Sequence, residues 1–418
     1  MSIREIFRFS SIEEKIVGPL IFLFPVFFLT IKGWTNTISL ILFLIALITI
    51  LTDCRKYLWR REKEFWFLFV CLISPFLLEV AVHLMRGNLV VEKFDGPSRF
   101  LAASICFIFF SRLRIDLAKF LSIGSFLSLM ATTFSVLTIT SYYWEGRAAT
   151  YFVDPITLPV YLLACLALLQ PNSFANMVEY KKIGLGILFI LIVLVSIVLL
   201  LSQSRSAWVA SIGLLELVMF ILWRKNKNRI FITNAALFIL LGFSDVFTDR
   251  SSEAFREVIA FINGHGDTSV GLRLGLIQMD IKLFTEYLFF GVPDGWLPRI
   301  EWFNAHGLDV SQKLYDQKLM SGSHNEITAH LSRKGLLGIP TVLFLFFFPI
   351  LYFVRNLFTK GDDVNPKAFV GLMFCTVVFL SGLTIQVFNL KMTSTFYSMV
   401  LAILFASLLE RSERKSIV

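Results

Sequence analysis

Two polar stretches of this 418-residue chain stand out because each lies directly beside an apolar run. The first, SQSRSAWVA, is a short break between two apolar segments, and it holds Arg205 among three serines, Ser202, Ser204 and Ser206. Helix-end amides, hydroxyls and a guanidinium are the groups that bind phosphate in proteins. The stretch therefore predicts an anion site. The alternative is an arginine that extends to the lipid headgroups.

The second stretch, SGSHNEITAHLSRKGLLGI, runs from residue 321 to 339 and directly precedes a long apolar run. His324 is the candidate for chemistry, because histidine titrates near neutral pH and suits general-base catalysis. The alternative is a structural histidine whose hydrogen bonds are satisfied. A zinc site is not indicated, because His324 and His330 are six residues apart and their rings do not share a helical face.

Two further arginines lie in segments predicted to be on the outer side of a membrane, as Arg205 and His324 are. Arg147, in SYYWEGRAATYF, could bind an anion or belong to an interfacial aromatic belt beside Glu145. Arg273, in TSVGLRLGLIQ, stands near the start of a predicted helix. It falls away from an apolar stripe, so a solvent-exposed face is its alternative; the stripe is formed by Leu272, Ile277 and Ile281.

The elements that position these residues are membrane helices. The chain is 56% hydrophobic and only 17% charged, whereas soluble domains are about a quarter charged. Continuous apolar runs exclude a β-barrel and predict an all-α polytopic membrane protein with about 12 transmembrane helices. The predicted spans are residues 15–31, 35–51, 65–82, 100–112, 117–140, 154–170, 183–202, 207–223, 230–245, 335–353, 367–387 and 394–410.

The net charge of +9 is explained by topology rather than by nucleic-acid binding. With the N-terminus in the cytoplasm, the short cytoplasmic loops hold 17 Lys and Arg, and the short outer loops hold 7. This distribution follows the positive-inside rule. It also predicts that both termini are cytoplasmic and that the one long loop, residues 246–334, lies on the outer side.

The predicted organisation is one membrane domain, residues 1–418, with the loop 246–334 inserted between spans nine and ten. Two amphipathic helices are predicted in that loop. The first is SSEAFREVIAFING, with Ser251 or Ser252 as N-cap and Gly264 as the stop, and the second is GLRLGLIQMDIKLFTEYLFFG. Because a loop of this length between packed elements is usually functional, we expect it to contribute to the site.

Several motifs are absent from the sequence. It has no P-loop, no dinucleotide-binding glycine fingerprint, no D-x-D pair and no G-x-S-x-G elbow. Four of the five cysteines lie in apolar runs, so neither a disulfide nor a cysteine-based metal site is predicted. Chemistry on the outer side, away from ATP, needs a donor that is already activated and carried by the membrane.

The chain resembles the O-antigen ligase family and, more widely, the superfamily of ligases and polymerases that transfer lipid-linked glycans. SQSRSAWVA is similar to the outer-turn arginine motif of the family. GLRLGLIQMDIKLFTEYLFFGVPDGW looks like its arginine-led helix, closed by a GVxxG turn at Gly291 to Gly295. HNEITAHLSRKGLLG is similar to its His-Asn helix, followed by a G-x-x-G motif at Gly335 and Gly338.

The resemblance implies a GT-C-like fold with a large periplasmic loop in the bacterial inner membrane. It implies transfer of O-antigen from undecaprenyl diphosphate to lipid A–core, with inversion and without metal, ATP or other cofactor. His324 is implied to be the base on the acceptor hydroxyl. Arg205 and Arg273 are implied to bind the diphosphate, together with Arg147, and in loop 83–99 a basic donor contact is implied, with Lys93 as the preferred residue.

Two other functions fit parts of the same pattern. Many members of the superfamily carry an acid where this chain has Lys334, and the KGL form is more similar to ligases of enteric bacteria than to polymerases. An O-antigen polymerase, which uses the same donor, is nevertheless the nearest alternative. A transporter of lipid-linked glycans is the alternative from another class; Pro155, Pro159 and Pro340 could break helices as transporters require.

Overall fold

A computed structural model describes most of the chain and is helical. The described residues are 12–58, 62–87, 89, 91–139, 146–170, 181–226, 228, 232, 245–292, 323–358 and 363–415. Within these ranges no β-strand occurs, and an isolated bridge joins Phe358 and Val364. Helices satisfy every backbone polar group within one segment, which lipid-embedded chains require. The described residues therefore agree with the prediction of an all-α membrane protein.

The chain divides into two compact units. Unit 1 comprises Met1–Ser211, Leu343–Ser381 and Val387–Val418, and unit 2 comprises Ile212–Val342 and Gly382–Gln386. The range of the predicted loop 246–334 falls within unit 2. That residues 1–418 form one membrane domain with this loop inserted stays a prediction.

Unit 1 is built from helices α1 to α8, the start of α9, and α14 to α16. A 3₁₀ helix, Val91–Phe94, precedes α5. The helices of unit 1 are α1 Ile12–Val26, α2 Trp34–Thr52, α3 Cys54–Leu58, α4 Lys63–Met85, α5 Asp95–Phe110, α6 Leu117–Ile139, α7 Thr157–Ala167, α8 Lys181–Ser202, α9 Arg205–Trp223, α14 Phe348–Arg355, α15 Pro366–Gly382 and α16 Lys391–Lys415.

Five helical segments of the described chain are long and apolar enough to cross a membrane, which makes this a multi-pass membrane protein. They are Trp34–Thr52, Lys63–Met85, Leu117–Thr138, Glu326–Arg355 and Lys391–Leu409. Shorter apolar helices coincide with three further predicted spans: Thr157–Ala167, Phe189–Ser202 and Pro366–Gly382. Predicted span nine, 230–245, lies almost wholly outside the described residues, and the total of about 12 spans stays a prediction.

Contacts within unit 1 join loops that the charge count placed on the same side. On the predicted outer side, Asp95 contacts Lys391, and the Lys32 amide donates to the Tyr151 hydroxyl at 3.0 Å.

On the predicted cytoplasmic side, Lys367 lies 3.1 Å from Asp116, and the Arg114 amide donates to the Glu14 carboxylate at 2.8 Å. These pairs agree with the predicted grouping of the loops. The assignment of one group to the cytoplasm rests on the charge count alone.

Helix α16 forms the centre of unit 1. Its apolar membrane-spanning window is fully buried, and it packs on α2, α4, α5 and α6. Phe396 stacks on Phe28 with ring centroids 4.1 Å apart, and Tyr397 stacks on Phe374 at 5.6 Å. Offset aromatic pairs of this kind add to the packing that holds helices together in lipid, where no hydrophobic effect acts between them.

A π-helical turn, Leu343–Phe347, directly precedes α14. Side chains of neighbouring helices contact the carbonyls of this turn: the Tyr397 hydroxyl donates to Leu345, and the Cys71 thiol donates to Phe344 at 3.4 Å. π-Turns are rare and are often found near functional sites.

Unit 2 contains the rest of α9 and four further helices, α10 Asp245–Ile262, α11 Ser269–Glu286, α12 Glu326–Lys334 and α13 Gly338–Val342. The predicted end of α10 is confirmed, because Gly264 has φ 88° and the His265 amide closes the helix on the Ala260 carbonyl at 2.8 Å. Its predicted N-cap at Ser251 or Ser252 is wrong. The helix extends back to Asp245, and an Arg250–Glu253 ion pair at 3.1 Å spans the position where the start was expected.

Candidate active site

Arg205 is the first residue of α9 and follows a tight turn at the end of α8; we call Ser202–Ser206 the serine turn. Gln203 in this turn has φ 52°, in the left-handed region that glutamine rarely adopts. The Trp208 indole Nε1 donates to the Leu199 carbonyl at 3.2 Å and so ties α9 to α8 across the turn. Arg205 is therefore held at a fixed helix N-terminus.

Arg147 contacts the serine turn. Its Nε donates to the Ser202 carbonyl at 2.9 Å, and the next amide, of Ala148, donates to the Leu201 carbonyl at 3.0 Å. A cation at the C-terminus of α8 also interacts favourably with the partial negative charge of the helix end. Two predicted site residues, Arg147 and Arg205, thus meet at one turn, and the belt interaction of Arg147 with Glu145 lies outside the described residues.

The serine turn contains buried hydroxyls. Ser204 and Ser206 are each 2% exposed, and their Oγ atoms make no hydrogen bond with any described residue. Ser204 occupies the position from which a serine normally caps a helix, so the first-turn amides of α9 receive no side-chain cap from it. A helix N-terminus that begins with an arginine is suited to an anion.

Lys93 lies in another part of unit 1. It is half-buried in the 3₁₀ helix Val91–Phe94, which packs against α4 and α5. The neighbouring Phe94 contacts the buried His83 of α4, with ring centroids 5.1 Å apart. This aromatic contact anchors the short helix that carries Lys93.

In unit 2, Arg273 lies in the second turn of α11, which starts at Ser269, two residues before the predicted start at Gly271. The Thr268 side chain caps the helix by accepting from the Gly271 amide at 3.1 Å. The predicted apolar stripe is only partly correct, because Ile281 is 49% exposed. Arg273 is half-buried and stands on the same side of the helix as Asp280, seven residues later, so it is not on a fully solvated face. The buried side of α11 is formed by Leu272, Leu276, Met279, Asp280 and Leu283.

His324 has φ 49°, and among the described residues only it and Gln203 are non-glycine residues with positive φ. The segments on both sides of it are anchored. The Ser323 amide donates to Gln386 Oε1 at 3.2 Å, and the Asn325 side-chain amide donates to the Leu383 carbonyl at 2.8 Å. We call this arrangement, Ser323–Asn325 with Leu383 and Gln386, the histidine clamp.

Asn325 has a second role, as the N-cap of α12. Its Oδ1 accepts from the Thr328 amide at 3.0 Å. Asparagine is among the strongest N-cap residues. The helix start and the clamp therefore share one side chain, and His324 is fixed directly before that helix.

Asp280 joins α11 to α12, and the sequence analysis missed it. It is fully buried, with Thr328 Oγ1 at 3.2 Å from Oδ2 and Ser332 Oγ at 3.0 Å from Oδ1. These bonds connect the helix that bears Arg273 to the helix that follows His324. An acid between apolar residues on the buried side of α11 was the available signal, because such an acid must find hydrogen-bond donors.

Two glycines allow the ends of α11 and α12 to interlock. A Cβ atom on Gly291 would lie 2.5 Å from the Arg333 carbonyl carbon, and one on Gly335 would lie 2.3 Å from the Leu288 carbonyl oxygen. Both have positive φ, 64° and 57°. The Leu336 amide donates to the Leu288 carbonyl at 2.7 Å, so the backbones touch where the two glycine motifs begin. Gly295, the end of the predicted GVxxG turn, lies outside the described residues.

The fold and the two regions define a class of protein: a multi-pass helical membrane protein in which two arginines meet at a turn between helices of unit 1 and a histidine lies in an anchored segment of unit 2. Residues 187–339 match a family model described as O-antigen ligase. The match supports assigning the chain to the O-antigen ligase family, as the motifs had predicted. It includes Arg205, Arg273 and His324, whereas Arg147 and Lys93 lie outside the matched region.

The chain is also similar to an uncharacterized protein of Haemophilus influenzae. The two are 23% identical over 377 residues, which cover 86% of this chain and 91% of the relative. The similarity therefore extends through both units. It carries no information on activity.

Proposed function

We propose that this protein is an O-antigen ligase. It transfers O-antigen polysaccharide from undecaprenyl diphosphate to lipid A–core, with inversion at the transferred sugar and without a metal ion. The family match supports lipid-linked glycan chemistry in general. The particular donor, the acceptor and the roles of the residues named below belong to the proposal.

One observation carries the assignment of the site. The two non-glycine residues with left-handed backbone in the described chain, Gln203 and His324, fall in two of the three motifs that carry the resemblance. Left-handed non-glycine residues are energetically costly and concentrate at functional sites. Each stands two residues before a helix, in a turn that ends at Arg205 in one case and at Glu326 in the other.

The donor chemistry uses arginines. As the bond between the sugar C1 and the diphosphate oxygen breaks, both bonding electrons leave with the diphosphate, whose negative charge increases. Arg205 and Arg273 stabilise this charge through bidentate hydrogen bonds, which guanidinium provides at any relevant pH. Arg147, bonded to the serine turn, and Lys93 contribute further positive charge to the donor.

The acceptor chemistry uses His324. The acceptor hydroxyl oxygen of the core attacks C1 on the face opposite the leaving diphosphate, which inverts the configuration. His324 accepts the hydroxyl proton during the attack, a contribution of about 10²–10⁴-fold. The histidine clamp restricts the backbone that carries the ring, and such pre-organisation is a main source of catalytic efficiency. Undecaprenyl diphosphate is the second product.

We place this reaction at the periplasmic face of the bacterial inner membrane, with both termini in the cytoplasm. The excess of Lys and Arg in one group of loops supports this orientation, since cytoplasmic loops are enriched in both residues. The loop contacts of unit 1 agree with the same grouping.

The test is a transfer assay with purified full-length protein, undecaprenyl-diphosphate-linked O-antigen and lipid A–core, in EDTA and without nucleotide. Glycan transfer to lipid A–core is the expected result. Elongation of the lipid-linked glycan without transfer to core would instead identify a polymerase. Absence of both, with movement of the donor across liposome membranes, would identify a transporter.

The arginine roles have a separate test in the same assay. Arg205→Lys keeps the charge but removes the bidentate fork, and we expect a loss of kcat/KM for the donor of at least about tenfold. Lys32→Gln, which removes an exposed cation elsewhere in unit 1, is the matched control and should leave transfer unchanged. Equal effects of the two substitutions would contradict a specific diphosphate contact at Arg205.

A further inference from the structure

A groove in unit 1 lies where α4 begins and α14 ends, away from the residues assigned to glycan transfer. Its cavity volume is about 500 Å³. The groove belongs to the loop group predicted to be cytoplasmic, because its polar residues lie in or next to loops 53–64 and 354–367. The lining residues are Lys63, Glu64, Phe67, Phe348, Leu351, Tyr352 and Arg355.

The groove is amphiphilic along its length. Lys63 opens α4 and Arg355 closes α14, so both cations stand at helix ends. Phe67 lies one turn further into α4, and Leu351 and Phe348 lie one and two turns further into α14. The Phe67 and Phe348 rings meet edge to face at 5.8 Å. The polar end is therefore at the limit of two membrane helices and the apolar end is deeper, as in a lipid with one headgroup and acyl chains.

The charges favour an anionic headgroup. Both cations are exposed, as are Phe67 and Leu351, so the groove is open along its length. Glu64 is half-buried and lines the same groove as Tyr352. Two exposed cations and one carboxylate line the groove, which gives its polar end a net positive charge. Basic residues at the cytoplasmic interface attract anionic lipids in this way.

We propose that this groove is a binding site for an anionic glycerophospholipid of the surrounding bilayer, such as phosphatidylglycerol or cardiolipin. Lys63 and Arg355 bind the phosphate, and the acyl chains lie on Phe67, Phe348 and Leu351. The π-turn Leu343–Phe347 directly precedes Phe348, so a bound lipid contacts the helix just after its irregular segment. The site is separate from glycan transfer and does not depend on the function proposed above.

The test is native mass spectrometry of the full-length protein, delipidated in detergent and titrated with phosphatidylglycerol, cardiolipin or phosphatidylethanolamine. We expect tighter binding of the two anionic lipids. Lys63→Gln/Arg355→Gln should weaken that binding by about fivefold per cation removed. Glu64→Gln should strengthen it, because the local carboxylate no longer opposes the phosphate.

The control is Lys15→Gln/Arg114→Gln, which removes two exposed cations outside the groove, one at the predicted cytoplasmic end of span one and one in loop 111–119. It should leave anionic lipid binding within about twofold of the wild type. All four cations are exposed, so both variants should fold, and Lys63→Arg/Arg355→Lys should restore binding. Equal affinity for all three lipids, or equal losses in the two double variants, would overturn the proposal and reduce these cations to ordinary interfacial residues.

Discussion

The serine turn of unit 1 and the histidine clamp of unit 2 share a backbone plan and differ in how they use polar groups. In each, a left-handed non-glycine residue is followed by a capping position and then by a helix. In the clamp the capping residue, Asn325, bonds both to α12 and to Leu383. In the turn the capping residue, Ser204, is buried and makes no side-chain bond with any described residue.

The difference separates two tasks. The clamp uses its polar groups for bonds within the protein, which anchor the residues on both sides of His324, and a general base needs a pre-organised position of this kind. In the turn the Ser204 hydroxyl does not cap α9, and an arginine is the first residue of that helix, an arrangement suited to an anion site. Substitutions in the two regions should therefore differ in how much they lower transfer activity relative to how much they lower folding stability.

The largest expected effect is on catalysis at the clamp. His324→Ala should lower kcat in the transfer assay by about 10²–10⁴-fold, because the acceptor proton has no base. Donor binding should change little. The matched control is His265→Ala, an exposed histidine of unit 2 near the end of α10, which should retain activity. Full transfer activity in His324→Ala would contradict the role of the histidine clamp in catalysis.

The second prediction concerns folding stability where the ends of α11 and α12 meet at Gly291 and Gly335. Gly335→Ala places a Cβ 2.3 Å from the Leu288 carbonyl oxygen at a residue with positive φ. Gly264→Ala is the matched control, since Gly264 has φ 88° and nothing lies within 4 Å of the added Cβ. The control should lose about 1 kcal/mol of stability from backbone strain alone.

Gly335→Ala should lose more than about 4 kcal/mol, because strain and steric overlap combine there. Thermal unfolding in detergent measures both variants against the wild type. Similar unfolding temperatures for the two alanine variants would mean that the contact between α11 and α12 is not the reason for the glycine at 335.

The third prediction compares two serines directly. Ser332→Ala removes a hydroxyl 3.0 Å from the buried Asp280 carboxylate, so we expect a loss of about 1–3 kcal/mol. Ser206→Ala removes a buried hydroxyl without a described partner, and its stability should be unchanged or up to about 1 kcal/mol higher. Urea or thermal unfolding of both variants provides the measurement. A large destabilisation by Ser206→Ala would show that the serine turn depends on internal hydrogen bonds to the same extent that the clamp does.

The sequence was sufficient to predict the helical membrane class, because continuous apolar runs of about 20 residues have few other interpretations. It also predicted the start of α11 to within two residues. It did not predict that Arg147 would contact the serine turn, since the two are 55 residues apart and only tertiary packing joins them. Nor did it predict the anchors of His324, because Gln386 and Leu383 lie 63 and 58 residues along the chain from Ser323 and Asn325, the residues they bind.

Asp280 illustrates a different limit. Its burial could have been inferred from its apolar neighbours on α11, but the partners Thr328 and Ser332 required the packing of α12. The wrong start of α10 has a local cause. Serine is a preferred N-cap, yet Ser251 and Ser252 lie inside the helix, where the Arg250–Glu253 ion pair compensates for their low helix propensity.

The smallest expected effect concerns a third polar cluster, in unit 1, where Asp95 contacts Lys391 and lies 2.5 Å from Arg99. The hydrogen bond with Lys391 is the main cause that lowers the pKa of Asp95 below its ordinary value of 3.8, and Arg99 lowers it further. A lowered pKa in the folded state means that the ionised carboxylate stabilises the fold above the ordinary value. This stability is lost as the pH falls through the folded value.

Asp95→Asn should therefore cost about 1 kcal/mol near neutral pH, a modest amount because the cluster is partly exposed to solvent. The difference from the wild type should shrink as the pH falls below about 4 and disappear once the carboxyl group is protonated. Thermal unfolding of both proteins across this pH range measures the effect. Asp154→Asn is not a suitable control, because Asp154 accepts hydrogen bonds from two backbone amides. A pH-independent loss would instead assign Asp95 a packing role, and the charge of this cluster would then contribute nothing to the stability of unit 1.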